Sequence, residues 1–322
     1  MQNLLDPAIL FFVFGVVAGS LRSNLEIPPP IARFLSLYLL MALGLKGGFA
    51  LAESGMTSDV AISLTAAMVL AIVIPVVGYQ VLKRFLPGFD AAAVAATYGS
   101  VSAVTFVTAV QFLETQQIPY GGHMAAALAL MESPAIILAV VLANVLRQGQ
   151  SEGQGQPKRM AMGKVLHESF TDGAQLLLLG SMAVGLLTGE AGQTAMQPFS
   201  GDLFKGMLAF FLLDMGLMTA RNLPQLKGIS PALLVYAVCA PLVHAAFALA
   251  LGAALGLPVG DVTLLMVLAA SASYIAVPAV IRFAIPEARP PLYFGLSLGI
   301  TFPLNILLGI PLYYWAARSV LS

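Results

Sequence analysis

Apolar runs of membrane-spanning length recur along the whole of this chain. Val60–Leu82 carries no charged side chain, and neither does Pro231–Leu257. A spanning helix needs about 20 such residues, within roughly 17–25. Inside hydrocarbon each backbone N–H and C=O must find a partner within the protein, and a helix meets that demand within one segment. Hydrophobic residues are 59% of the 322 and charged residues 9%, where a soluble domain carries roughly 45–50% and about 25%. Too few charges exist to make a water-facing surface, so a soluble enzyme and a nucleic-acid binder are both excluded. The 15 basic and 15 acidic residues cancel, and no overall field gathers a polyanion.

Ten candidate spans follow from the apolar pattern. The first five are Pro7–Leu21, Ile31–Ala52, Val60–Leu82, Ala91–Leu113 and Met124–Leu146. The second five are Gly173–Thr188, Phe199–Ala220, Pro231–Leu257, Val262–Ala284 and Tyr293–Ala316. Between the sets, Arg147–Lys164 is polar and rich in Gly and Gln, which reads as a cytoplasmic linker. The expected division is residues 1–146, a linker over 147–172, and residues 173–322. Basic residues orient the chain. With both termini outside, twelve of the 15 Lys and Arg fall in cytoplasmic loops, among them Arg22, Arg33, Lys83, Arg84, Arg221 and Arg289. Met1–Asp6 has no basic residue, so no cleavable signal peptide is expected. The lone Cys239 excludes an internal disulfide and a multi-thiolate metal site.

Five spans per half is an odd number, so the halves must be oppositely oriented. They also share motifs. Gly99-Ser100-Val101-Ser102 followed by Phe112 matches Ala270-Ser271-Ala272-Ser273 followed by Phe283 at one offset of 171 residues. Pro75-Val76-Val77 pairs with Pro241-Leu242-Val243, and Leu43-Gly44-Leu45 with Met215-Gly216-Leu217, in the same order. The fold expected is an all-α integral membrane protein of ten transmembrane helices in two inverted five-helix repeats, an architecture of secondary transporters.

Such transporters hold substrate near the midplane, where helices break. The hydroxyl-rich stretches Thr97–Thr105 and Ala269–Pro278 are the places to break. Gly99 permits unusual backbone angles and Pro278 unsettles the turn before it. Two helix N-termini would present N–H groups and positive dipole ends, with Ser100, Ser102, Ser271 and Ser273 adding hydroxyls. That makes a site for a small anion without Arg or Lys. Against this stands simple packing, since small and hydroxyl residues also let membrane helices approach closely.

Three ionisable residues fall within spans: Lys46, Glu132 and Asp214. Glu132 precedes Ser133-Pro134, which suggests a local helix break and a carboxylate able to hold a cation or a proton. Asp214 and Lys46 are expected to pair across the pseudo-symmetric interface. Asn144 and Asn305 read as residues that bond across helices, and Gly15 with Gly19 as a close-packing motif. His123, His167 and His244 have no metal spacing, and no HExxH, GxSxG or Walker pattern occurs in catalytic context. An enzyme is therefore not expected, and a passive pore is disfavoured by the repeated breaks.

Several strings, in order and spacing, resemble the cyanobacterial-type sodium-dependent bicarbonate transporter family (SbtA-type permeases). They are Tyr98-Gly99-Ser100-Val101-Ser102, Gln116-Gln117-Ile118-Pro119-Tyr120, Met131-Glu132-Ser133-Pro134-Ala135, and Ala269-Ala270-Ser271-Ala272-Ser273 with Ile285-Pro286. The resemblance runs over nearly all of the chain. It implies a homotrimer in the bacterial plasma (inner) membrane, with a gate domain and a mobile core working as an elevator. It implies bicarbonate and sodium held at the broken helices, and a PII-like regulator on the cytoplasmic face. By resemblance Ser100, Val101, Ser102, Ser271, Ala272 and Ser273 line the site. With the residues beside them, the expected substrate set is Gly99, Ser100, Val101, Ser102, Ala103, Ser271, Ala272, Ser273 and Tyr274, and the expected sodium set Ser100, Ser102, Thr105, Glu132, Ser271 and Ser273. No other cofactor is expected. The chain departs from the family pattern at Tyr274, where an Asp is common, at Ala276-Val277-Pro278, where Gly-Pro-Pro is frequent, and at Glu132, commonly Asp. A phenol is a poor cation ligand. The alternative is a symporter, driven by sodium or by protons through Glu132, for another small monoanion.

Overall fold

A computed structural model describes residues 6–55, 57–150 and 173–321, and among them all regular structure is helical. In chain order the helices are α1 (Pro7–Ser20), α2 (Pro29–Ser54), α3 (Ser58–Leu82), α4 (Gly88–Gly99), α5 (Ala103–Thr115) and α6 (Met124–Gln150). After the linker come α7 (Gly173–Met196), α8 (Phe204–Asn222), α9 (Pro231–Ala254), α10 (Val259–Ala270) and α11 (Ala276–Ala284). The last is α12 (Pro290–Leu321), whose turns widen at Ser297–Thr301 and Asn305–Gly309.

Prolines start these helices. Pro7, Pro29, Pro231 and Pro290 each occupy the first turn, where the missing N–H costs nothing and φ is already helical. Asp6 caps α1 by accepting the Ala8 N–H at 2.8 Å. Pro75, Pro134 and Pro241 lie inside α3, α6 and α9 without ending them. The local break expected at Glu132-Ser133-Pro134 is therefore absent: α6 runs on through Pro134. It also extends to Gln150, so Arg147–Gln150 of the expected linker are helical. The rest of the linker, with His167, lies outside the described residues.

Seven helical runs among the described residues are long and apolar enough to cross a membrane, which makes this a multi-pass all-α membrane protein. Ten spans were expected. Pro7–Ser20 and Val259–Ala270 are apolar but shorter than a span, and Gly173–Leu226 is one run of 54 residues. That run would be about 80 Å long if straight, against a hydrocarbon core of about 30 Å. Gly189 interrupts it with φ 54° and ψ −139°, and a wide turn follows at Gln197–Asp202.

The helices pack as two groups. In one, α1 lies along α8 and α2 along α7; in the other, α3, α4 and α6 pack together, as do α9, α10 and α12. Glycine sets the closeness of the first group. A Cβ at Gly48 would stand 2.1 Å from the Met182 carbonyl oxygen, and one at Gly15 would stand 2.3 Å from that of Leu213. The Gly15/Gly19 motif is thus a packing surface, as its spacing suggested.

The ion pair expected between Asp214 and Lys46 does not form. Lys46 pairs with Glu114 of α5, Nζ to Oε1 at 2.9 Å, and also lies 4.1 Å from the Phe204 ring centroid. Helix rotation decides such pairs, and a repeat offset does not report it.

Candidate functional site

Two interrupted helices meet at the site. α4 ends at Gly99, Ser100 and Ser102 are extended with φ −103° and −108°, and α5 begins at Ala103. α10 ends at Ala270, Ser271 is extended with φ −77°, and α11 begins at Ala276. Gly99 is demanded by contact: a Cβ there would meet the Pro75 ring at 2.4 Å. The chain therefore breaks in both hydroxyl-rich stretches.

The breaks are tied to each other. The Ser102 N–H donates to Ser271 Oγ at 3.0 Å, and the Ser273 N–H donates to the Thr97 carbonyl at 2.9 Å. Ser271 Oγ in turn donates to the Leu268 carbonyl at 2.9 Å. The end of α10 is held from α12: Asn305 Nδ2 donates to the Ala270 carbonyl at 2.9 Å, and Tyr313 donates to Asn305 Oδ1 at 2.8 Å. Asn305 is thus a cross-helix residue, as expected.

Both new helices are capped by serine. Ser102 Oγ accepts from the Thr105 N–H at 3.3 Å and from the Thr105 hydroxyl at 3.0 Å. Ser273 Oγ accepts from the Val277 N–H at 3.2 Å. Thr105 and Val277 N–H groups are thereby satisfied, and Pro278 has none. The first-turn N–H groups of Ala103, Val104 and Ala276 have no partner among the described residues. Such orphan donors, with the positive ends of two dipoles, form an anion-binding arrangement.

The three residues that carry them line one cavity of about 70 Å³, whose walls include Val101, Ser102, Ala103, Val104, Glu132, Ser273, Tyr274 and Ala276. About 10–15 Å³ on this scale holds a water, so a small hydrated ion fits. The opposite wall comes from the other helix group: Ser36 and Leu40 of α2, and Ala174, Gln175 and Leu178 of α7. Gln175 Nε2 donates to Glu132 Oε2 across the cavity at 2.9 Å.

Of the residues expected at the site, Val101, Ser102, Ala103, Glu132, Ser273 and Tyr274 line the cavity. Gly99, Ser100, Thr105, Ser271 and Ala272 lie in or beside the breaks; Ser100 donates weakly to the Glu132 carbonyl at 3.4 Å. Tyr274 is 3% exposed, and its hydroxyl donates to Met215 Sδ at 3.5 Å. The residue not anticipated is Gln175. It stands in the first turn of α7, next to a polar linker, and nothing in its local sequence distinguishes it. Among the described residues no group of three His, Cys, Asp or Glu side chains stands together as a metal cage.

A second pair of positions shares the 171-residue offset. Asp90, the third residue of α4, accepts the Arg289 N–H at 2.8 Å and Arg289 Nε at 2.9 Å. Asp261, the third residue of α10, accepts the Gly121 N–H at 2.5 Å and has His123 Nε2 at 3.6 Å. Each broken helix thus holds, through a carboxylate at its start, the loop that follows the other one.

A family model described as the Na+-dependent bicarbonate transporter superfamily matches residues 7–318. No curated protein matches the chain. The chain belongs to the Na+-dependent bicarbonate transporter superfamily.

Proposed function

We propose that this superfamily member imports bicarbonate together with sodium, holding the anion in the cavity between the N-termini of α5 and α11. The observation that carries the reading is that Ala103, Val104 and Ala276, whose N–H groups have no partner among the described residues, all line one small cavity. Those donors are neutral, so they hold a monoanion without trapping it. Substrate residues in this reading are Gly99, Ser100, Val101, Ser102, Ala103, Ser271, Ala272, Ser273 and Tyr274.

Sodium supplies the driving force. A monoanion entering a negative-inside cell is opposed by about 2.3 kcal/mol per 100 mV, so a co-transported cation is needed. Hard cations take oxygen ligands, and the oxygens of Ser100, Ser102, Thr105, Ser271 and Ser273 with the Glu132 carboxylate form the sodium set in this proposal. The Tyr274 hydroxyl donates to Met215 Sδ.

The proposal includes ten crossings as two inverted repeats, residues 1–146 and 173–322 joined by a cytoplasmic linker, with both termini outside a bacterial plasma membrane. The matched offsets of the two breaks and of Asp90 with Asp261 support the repeat. It also includes elevator-like movement, supported by a cavity walled on one side by α2 and α7 and on the other by the broken helices. The homotrimer and the PII-like regulator rest on the family resemblance alone.

Labelled bicarbonate uptake into proteoliposomes tests the reading. Uptake is expected with an inward sodium gradient and is expected to vanish in choline. A second reading, proton coupling, is favoured by the position of Glu132 in the cavity wall. Glu132→Gln separates the two: sodium coupling leaves a sodium requirement, whereas proton coupling loses uptake driven by an acid exterior. Full uptake in sodium-free medium sinks the first reading.

A further inference from the structure

We propose that Asp214, in the middle of α8, is a proton-binding site of this transporter: it holds a proton in the arrangement of this structure, and its ionised form opposes the approach of α8 to the broken helix at Tyr274. The inference goes beyond the transport reading above, which assigns no ligand to α8.

Asp214 is the eleventh of the 19 residues of α8, so about 15 Å of helix precedes it and about 12 Å follows it. It is 7% exposed, and no hydrogen bond or ion pair reaches its carboxylate among the described residues. The charged groups on the elements around it are engaged or distant. Arg221, whose field reaches Asp214, stands two turns further along α8 and donates to the Leu25 carbonyl at 2.8 Å. Lys46 of α2 pairs with Glu114, and Lys205 of α8 with Asp6, each at 2.9 Å. No charged side chain occurs within α1. Arg33 and Glu53 stand toward the two ends of α2, Asp202 precedes α8, and Tyr293 lies in the first turn of α12. Tyr38 donates to the Phe199 carbonyl.

The contact beside Asp214 is apolar. The next residue, Met215, takes the Tyr274 hydroxyl, and the Tyr274 ring lies edge-on to Phe302 with centroids 5.1 Å apart. A carboxylate that is buried, mid-membrane and unpaired is costly when ionised, and one proton from water removes the charge. A hard cation does not serve instead. It needs a shell of oxygens, whereas the polar atoms at this contact are the Met215 thioether and the Tyr274 phenol.

Tyr274 links Asp214 to the cavity. It lines the cavity wall, its hydroxyl neighbours the Ser102 side chain as well as Met215, and the Asp214 charge acts on it. A thioether is a weak acceptor, which an ionised carboxylate outcompetes. Loss of the Asp214 proton therefore draws the phenol from Met215 and disturbs a wall residue. α8 packs with α1 and α2, whereas Tyr274 belongs to the broken helices, so this contact joins the two helix groups. Each return to the present arrangement then needs a proton on Asp214, and uptake slows as protons become scarce.

Infrared spectra of the purified protein in lipid test this, because a neutral carboxylic acid and a carboxylate absorb at different frequencies. At neutral pH the wild type is expected to show a neutral-acid C=O band that Asp214→Asn lacks. Asp214→Glu should shift that band rather than remove it, which assigns the band should the Asn variant not fold. Uptake at a fixed bicarbonate concentration is the second measurement. Wild-type rates should fall toward alkaline pH by up to about tenfold per pH unit, the limit for one proton, while Asp214→Asn, uncharged throughout, stays level. Identical bands in the wild type and both variants, or alkaline profiles that run parallel in the wild type and Asp214→Asn, overturn the inference. A wild type that shows the Asp214 band but takes up no bicarbonate overturns the transport reading and leaves the proton site standing.

Discussion

The backbone N–H of Ser102 donates to the side-chain oxygen of Ser271 at 3.0 Å, although the two serines lie in different helix breaks. Each break is therefore held by the other, and the hydroxyl of Ser271 is a structural acceptor. Ser271→Ala leaves a buried N–H without a partner, which costs about 1–3 kcal/mol. A lower melting temperature and reduced uptake are expected. The exposed Ser319→Ala, whose hydroxyl bonds only to the Trp315 carbonyl, should change neither. Equal melting temperatures for the two variants would show that the crossed bonds do not hold the site.

The packing of α2 on α7 supplies a second expectation. Gly48→Ala puts a methyl group 2.1 Å from the Met182 carbonyl oxygen, so the helices must separate. Overpacking of this kind costs about 1–3 kcal/mol. Gly180 has nothing within 4 Å of its would-be Cβ, and Gly180→Ala should be neutral or gain up to about 1 kcal/mol. Melting temperatures in detergent read the contrast. A Gly48→Ala protein as stable as Gly180→Ala would contradict the close approach.

The two breaks were legible because small and hydroxyl residues interrupt apolar runs at Gly99–Ser102 and at Ser271–Ser273, and because the interruption repeats at one offset. The same offset relates Asp90 to Asp261, yet these escaped notice, since a carboxylate near a helix start also reads as an ordinary dipole partner. Gln175 and the Lys46–Glu114 pair were not legible. Both depend on which way a helix is turned toward a distant neighbour, and an apolar helix that meets lipid on one side has little amphipathic pattern to report its rotation. Pro134 misled for a related reason: prolines inside membrane helices are tolerated when neighbours satisfy the freed carbonyl.

Orientation is open to direct labelling. The basic bias places the end of α2 outside and the loop after α3 inside. In a Cys239→Ser background, a cysteine at Glu53 is expected to react with an impermeant maleimide added to intact cells. One at Arg84 should react only after permeabilisation. The reverse pattern would invert the topology.

His123 sets a pH dependence. Burial pushes its imidazole below the ordinary value, and Asp261 and Asp59 pull it back only in part. Its folded value is therefore depressed relative to about 6.5 in the unfolded chain. Between those values the unfolded chain holds a proton that the folded one refuses, so stability falls as pH falls below about 6.5. The slope is at most about 1.4 kcal/mol per pH unit for one proton. Melting temperatures from pH 8 to pH 5 should drop for the wild type and drop less steeply in His123→Gln. Parallel curves would assign the acid sensitivity to other groups.

The Lys46–Glu114 ion pair joins α2 to α5, which packs on α10, and hence one helix group to the other. Tyr120 also donates to Glu114 Oε1 at 3.0 Å, so the carboxylate keeps a partner if Lys46 is lost. The two charged side chains are 20% and 31% exposed, so solvent screens the attraction and its worth is about 0.5–1 kcal/mol. If the groups move past each other during transport, this tie breaks in each cycle and its strength enters the rate. Lys46→Ala and Glu114→Ala are then expected to alter uptake non-additively, with a coupling of about two- to five-fold in the double-mutant cycle. Exchanging the charges, Lys46→Glu with Glu114→Lys, should recover part of the activity that either reversal alone removes. Recovery stays incomplete because the Lys46 ammonium over the Phe204 ring is lost in the exchange. Strictly additive single variants, with no recovery on exchange, would mean that the pair stays intact through the cycle or plays no part in it.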